Sequence, residues 1–99
     1  MKAIVNRLRY DTEKARSIGC YDNLGRSGVQ STTDFSYYWA ELYVTNKGNY
    51  FLAASGNCRS PYQGDVITPM SREEAFEWAS EYLSAELTEV AFSDMFEDA

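Results

Sequence analysis

The sequence contains no histidine. That absence removes the side chain whose ordinary pKa lies near neutrality, and with it any mechanism that needs an imidazole base or an imidazole metal ligand. Cysteine is nearly absent too. Cys20 and Cys58 lie far from metal-ligand spacing, so no zinc site is expected; both are expected as free thiols, although sequence alone leaves a bridge between them open. None of the six glycines builds a phosphate-cradling loop or a dinucleotide fingerprint, so no cofactor is implied. No apolar run approaches the roughly 18 residues of a membrane span. The apolar segment within Met1–Arg9 is too short for a signal peptide, which points to a cytoplasmic protein without a membrane partner. The carboxylates outside the C-terminal third (Asp11, Glu13, Asp22, Asp34, Glu41 and Asp65) show no spacing that marks an acid/base couple. The thiol in Ser55-Gly-Asn-Cys58 has no histidine to activate it. The expectation is a protein that is not an enzyme.

What is present is a folded composition. Ninety-nine residues suffice for one domain with a modest core, and 44% hydrophobic with 15% aromatic content argues against disorder. Eight of the aromatics are tyrosines, which supply rigid apolar area with a polar tip and suit half-buried sheets and interfaces alike. The formal charge of −6 is unevenly spread. Residues 1–70 carry eight basic and six acidic groups, a net of +2, whereas residues 71–99 set Arg72 alone against nine acids, a net of −8. Contact between that C-terminal third and a phosphate backbone is excluded on sign, and a basic partner is allowed.

The clearest element begins at Ser71. Ser71 and Glu74 have capping-box spacing, and Pro69 keeps Thr68 extended just ahead of it. Ala75, Phe76, Ala79, Tyr82 and Leu83 then form one apolar helical face, with Glu73, Glu77 and Glu81 on the other side. Ser84 is placed to cap a second, shorter helix over Glu86–Phe92 with Leu87, Val90 and Ala91 inward, and the tail Asp94–Ala99 is expected to fray. Upstream, residues 3–10 read as one strand, Asp11–Lys14 as a turn, and Ala15–Tyr21 as a second strand returning antiparallel with Ile18 and Cys20 on one face. Asp22–Asp34 is a loop by composition, long enough to be functional or mobile. Phe35–Thr45 gives the strongest strand pattern. Phe35, Tyr37, Trp39, Glu41 and Tyr43 project to one face, and Ser36, Tyr38, Ala40, Leu42 and Val44 to the other, core face. Asn46–Asn49 is a hairpin turn with Gly48 free to take positive φ, Tyr50–Ala54 returns, and Val66–Ile67 is a short extended piece. Strands first and helices last predict an α+β fold: an antiparallel sheet of about four strands with the amphipathic helix on one face. The division is 1–70 mostly β and 71–99 mostly α.

The segments Leu42-Tyr-Val-Thr-Asn-Lys-Gly-Asn-Tyr-Phe-Leu52, Ile67-Thr-Pro-Met-Ser71 and Glu74-Ala-Phe-Glu-Trp78, with the opening Tyr10-Asp-Thr-Glu-Lys-Ala15, resemble a group of small bacterial proteins carried on prophages, plasmids and conjugative elements. The likeness spans most of the chain, and its motifs are a turn, a hairpin and a capped helix. Many of those proteins have Gly-Glu-Gly-Gly after the hairpin, where this chain has Ala54-Ser-Gly-Asn57. The resemblance implies a mobile-element setting, in which small acidic proteins act as inhibitors of host defence, anti-CRISPR proteins being the best-known example.

Two candidate partner-binding surfaces follow. The first is the acidic stripe Glu73, Glu77 and Glu81, whose carboxylates lie roughly 6 Å apart along the helix and repel one another by a few tenths of a kcal/mol per pair. A solvated face would explain it; so would docking on a basic nucleic-acid channel of a host CRISPR effector nuclease, in competition with phosphates. The second is the aromatic run Phe35-Ser-Tyr-Tyr-Trp39, where Tyr37 and Trp39 share a face. Cross-strand packing, a homodimer or other protein interface, and base stacking with Arg7, Arg9, Arg16 and Arg26 nearby are the alternatives. The leading expectation is a mobile-element inhibitor of anti-CRISPR type in the host cytoplasm. The others are a structural or interaction module and a nucleic-acid binder using the basic N-terminal half, which the overall charge disfavours.

Overall fold

The computed structural model describes residues 1–96 and Asp98. Strands β1 (Lys2–Val5), β2 (Leu8–Asp11), β3 (Arg16–Asp22), β4 (Tyr38–Val44), β5 (Tyr50–Gly56) and β6 (Gly64–Met70) all precede helices α1 (Arg72–Tyr82) and α2 (Ala85–Ala91) and a 3-10 turn at Ser93–Met95. The β3-β4-β5-β6 meander forms a four-stranded antiparallel sheet, and β1-β2 form a separate hairpin. The class is α+β, as the order of elements predicts.

The N-terminal third departs from expectation in two ways. Residues 3–10 are two strands rather than one. Asn6 and Arg7 take left-handed φ values of 51° and 67°, with Val5 opposite Leu8. Two left-handed residues in a two-residue loop make a type I′ turn, whose twist suits a hairpin. Arg7 is not a turn residue by type, so composition hides the reversal. Second, β3 pairs with β4, and its register steps from Ser17 opposite Tyr43 to Gly19 opposite Leu42. The bulge at Ile18 puts Ile18 and Cys20 on different faces: Ile18 packs on the helix-side core, and Cys20 lies opposite Glu41. The Asp11–Lys14 turn is as expected, closed by the Lys14 and Ala15 N–H groups donating to the Asp11 carbonyl.

Strand β4 begins three residues later than the alternation suggests. The Asp34 carboxylate accepts the Ser36 N–H at 2.8 Å and the Asp34 carbonyl accepts the Tyr37 N–H, a local turn that competes with extension. Phe35 is therefore outside the strand and exposed, with the Arg59 guanidinium 5.5 Å from its ring centre. From Tyr38 onward the predicted alternation holds, with Ala40, Leu42 and Val44 buried. Gly48 closes the β4–β5 turn at φ 84°. Strand β5 is the central layer: Phe51, Leu52, Ala53 and Ala54 are all buried, so both of its faces are covered at that level. It ends at Gly56, where a Cβ would lie 2.1 Å from the Ser60 hydroxyl and 2.3 Å from the Tyr62 carbonyl oxygen. Strand β6 runs a full seven residues rather than the short Val66–Ile67 piece, and it tolerates Pro69 because it is an edge strand.

The capping box forms as the spacing predicts. The Glu74 N–H donates to Ser71 Oγ at 3.1 Å and the Ser71 N–H to Glu74 Oε1 at 2.9 Å. Behind it, Ala75, Trp78 and Ala79 bury against Ala40, Leu42, Leu52 and Ala54, with Phe76, Tyr82 and Leu83 partly buried around them. Alanines on both sides let helix and sheet approach closely while the Trp78 ring fills the remaining volume. In α2 the buried positions are Thr88 and, just past its end, Phe92; Val90 points outward at 81% exposure, and Leu87 sits half exposed over Gly19. Thr88 turns its hydroxyl to the α1–α2 junction, where its one proton is shared between the Ser84 carbonyl at 2.9 Å and the Ala79 carbonyl at 3.1 Å. Ala91 does pack against the core. The tail is docked through Phe96 rather than frayed, since Arg72 binds Asp94 and the Phe96 ring meets Phe76 edge-on at 5.4 Å. Asp98 is exposed, and the expectation for Glu97 and Ala99 lies outside the described residues.

A second, smaller core lies across the sheet from the helices. Tyr10 from the β1-β2 hairpin meets Phe51 at 5.4 Å, and Ala53, Met1, Val5, Ala15, Tyr43 and Ile67 complete it.

Candidate functional site

Helix α1 points Glu73, Glu77 and Glu81 away from the core, directly opposite Ala75 and Ala79, and all three are exposed. Glu86 and Glu89 on α2 are exposed as well. Arg72, the single cation of residues 71–99, does not neutralise these glutamates. Its guanidinium forms a two-pronged pair with the Asp94 carboxylate and lies 5.9 Å from the centre of the Phe92 ring. The hydrogen bonds to Asp94 raise the Arg72 pKa further, and those from Arg72 hold the Asp94 carboxyl below its ordinary value. This is the one ion pair among the described residues, so Glu73, Glu77, Glu81, Glu86 and Glu89 have no cation within 4.0 Å there. Glu74 is used differently: its bond from the Ser71 backbone lowers its pKa and commits it to the helix cap.

Tyr37 and Trp39 lie elsewhere. Ala40 and Leu42 face the helices, so Trp39, alternating with them, projects from the opposite side of the sheet. The structure therefore does not bring the two predicted surfaces together. Trp39 is half buried, with Asp22 across from it on β3 and Ser55 across on β5. Glu41 follows it along β4 and stands opposite Cys20, and Asp65 lies opposite Ser55. Cys20, Tyr21, Asp22, Trp39 and Glu41 line a depression of about 460 Å³.

The carboxylates on this face are held by hydroxyl donors. Ser17 and Tyr43 donate to Glu41 at 2.5 and 2.9 Å, Ser55 to Asp65 at 2.7 Å, and Tyr37 to Asp22 at 3.4 Å. Burial, then the bond to Glu41, pushes the Tyr43 pKa up to about 12, and partial burial with the Asp22 charge raises that of Tyr37. Both phenols are therefore neutral donors near pH 7. Cys20 and Cys58 are free and exposed.

Sequence reasoning placed Tyr37, Trp39 and Glu41 on one face, and the structure adds Cys20, Asp22, Ser55 and Asp65 to it. Their partnership depends on the register of β3 and β6, which the bulge at Ile18 and the unrecognised length of β6 conceal. Both surfaces carry carboxylates: one is an array of them, the other sets an indole ring among them. Such groups bind cationic side chains by ion pairing and, at Trp39, by cation–π contact. No helix among the described residues is long and apolar enough to cross a membrane. The chain matches no protein-family model, no curated protein and no solved structure.

Proposed function

We propose that this protein is a non-enzymatic inhibitor of anti-CRISPR type, carried by a phage or other mobile element. It docks on a host nucleic-acid-processing effector in the host cytoplasm and occupies the basic surface that otherwise holds nucleic acid. The observation that carries this reading is the unneutralised acidic stripe of α1: Arg72 is committed to Asp94 and leaves Glu73, Glu77 and Glu81 without a cation among the described residues. Three like charges at four-residue spacing are mildly unfavourable to an isolated helix, and a basic partner turns that penalty into affinity. The test is cleavage by a purified, guide-loaded CRISPR effector nuclease in the presence of the protein. The triple variant Glu73→Lys, Glu77→Lys, Glu81→Lys keeps its circular dichroism spectrum and loses inhibition. Unchanged inhibition by that folded variant removes the reading.

The half-buried Trp39 among Asp22 and Glu41 favours a second reading, an interaction module that works through the sheet face. Strand β4 has β3 and β5 on its two edges, so association through it uses its face, and a homodimer formed there brings like charges together. Equilibrium sedimentation of the intact protein and of Trp39→Ala decides between a dimer through this face and a monomer.

A further inference from the structure

Three chain reversals border one cavity: the type I′ turn at Asn6–Arg7, the Asp11–Ala15 turn and the β4–β5 turn at Asn46–Asn49. The cavity holds about 340 Å³, and Arg7, Arg9, Lys14 and Lys47 all line it. Half of the eight basic residues in 1–70 thus converge on one concavity, and none of the four is within 4.0 Å of a carboxylate among the described residues. The one acid in the lining, Asp11, is buried, accepts the Glu13 N–H at 3.0 Å and closes the turn through its carbonyl, and it sets a single negative charge against the four cations. Thr45 Oγ1 accepts the Asn49 N–H at 3.1 Å, which leaves the Thr45 hydroxyl proton free to donate.

Arg7 supplies a second, independent observation. At φ 67° it holds the second central position of a type I′ turn, where glycine is the favoured residue. An L-side chain there is strained, and backbone strain of this kind collects at binding sites, where the side chain has other work.

We infer that this cavity binds a compact phosphate-bearing anion, with Arg7, Arg9, Lys14 and Lys47 as its charged donors. Guanidinium forks match phosphate oxygens two at a time and ammonium groups add point charge, which suits an anion carrying several negative charges. The four cations converge on one concavity rather than forming a track, and the net −8 of residues 71–99 opposes a long polyanion, so the ligand is a small oligophosphate or nucleotide rather than a nucleic-acid strand. The volume falls at the lower end of small-molecule sites, about 300–1,000 Å³. The inference uses no residue of the acidic stripe and stands apart from the inhibitor reading.

The experiment is a nitrogen-15 NMR titration of the intact chain at low ionic strength. Inorganic phosphate, pyrophosphate, adenosine triphosphate and a single-stranded oligonucleotide serve as separate probes. The site predicts saturable shifts confined to the amides of residues 6–15 and 45–49, with pyrophosphate and the nucleotide binding more tightly than phosphate. Two variants separate binding from folding. Arg7→Gly relaxes the turn, so its thermal midpoint is unchanged or higher while affinity for pyrophosphate falls about tenfold, the loss of one charge-assisted contact. Lys47→Gln, in an exposed turn, falls by a similar factor. The inference is overturned if no probe saturates, if Arg7→Gly binds pyrophosphate as the parent does, or if the oligonucleotide binds most tightly with shifts running beyond the cavity.

Discussion

The two faces of the four-stranded sheet are made by alternate residues of the same strands, yet they are closed in different ways. The helix-facing side is sealed over its two central strands: Ala40, Leu42, Leu52 and Ala54 are at most 1% exposed beneath Ala75, Trp78, Ala79 and Phe92. The other side is sealed only where the β1-β2 hairpin lies on Phe51, Ala53, Tyr43 and Ile67. Beyond the hairpin it opens onto Trp39, Glu41, Cys20 and Asp22. One face spends its residues on packing, while the other divides them between packing and a polar aromatic surface. The charged groups follow the same division. Acids cover the outside of the helix layer, and the cations Arg7, Arg9, Lys14 and Lys47 gather beside the hairpin.

The comparison is most directly broken by removing a ring from each side. Phe92 and Phe51 are both fully buried, one on each face, and truncating either to alanine is expected to lower stability by about 3–5 kcal/mol in urea unfolding. Trp39→Ala on the open part should lose less than about 2 kcal/mol. If Trp39→Ala proves as damaging as Phe51→Ala, that part is a core and the contrast between faces fails. Gly56→Ala ranks next, at about 1–3 kcal/mol, because the added methyl meets the Tyr62 carbonyl oxygen at 2.3 Å and backbone must shift. Ser71→Ala removes the cap of α1 and should lose about 1 kcal/mol, read as a lower thermal midpoint.

The last effect is alkaline and touches both faces. Burial raises Tyr38, on the helix side, and Tyr43, on the hairpin side, from an ordinary 10.0 to about 12. A raised folded pKa favours the neutral phenol in the native state, so this stability is complete below pH 10 and is lost between pH 10 and 12 as the unfolded chain ionises first. Tyrosinate absorbance should show these two groups titrating last. If they ionise near 10 with the fold intact, neither ring is as sheltered as its face requires.

Local chemistry made part of this architecture readable. The Ser71–Glu74 box, the Gly48 turn and the alternation of Tyr38–Val44 each depend on a few adjacent residues, and each is found as the spacing predicts. The misses are places where a distant contact or an unmarked backbone angle decides. Arg7 at positive φ splits one strand into two, the Ile18 bulge separates Ile18 from Cys20, and burial of Thr88 and Phe92 leaves Val90 facing outward. Of the candidate surfaces, the Glu73, Glu77 and Glu81 stripe was legible because a helix repeats every 3.6 residues. The surroundings of Trp39 were not, because β3 and β6 supply them through register.

By itself, then, the sequence determined the class of the fold, the capped helix, the core face of β4 and the concentration of acid after residue 70. All of these follow from periodicity, capping and composition, which act between near neighbours. Tertiary structure alone decided which face of the sheet the hairpin covers, that Arg72 is spent on Asp94, and that Arg7, Arg9, Lys14 and Lys47 share one cavity. Those outcomes join residues far apart in the chain. Burial and hydrogen bonding across the whole fold select among arrangements that local propensity leaves equal.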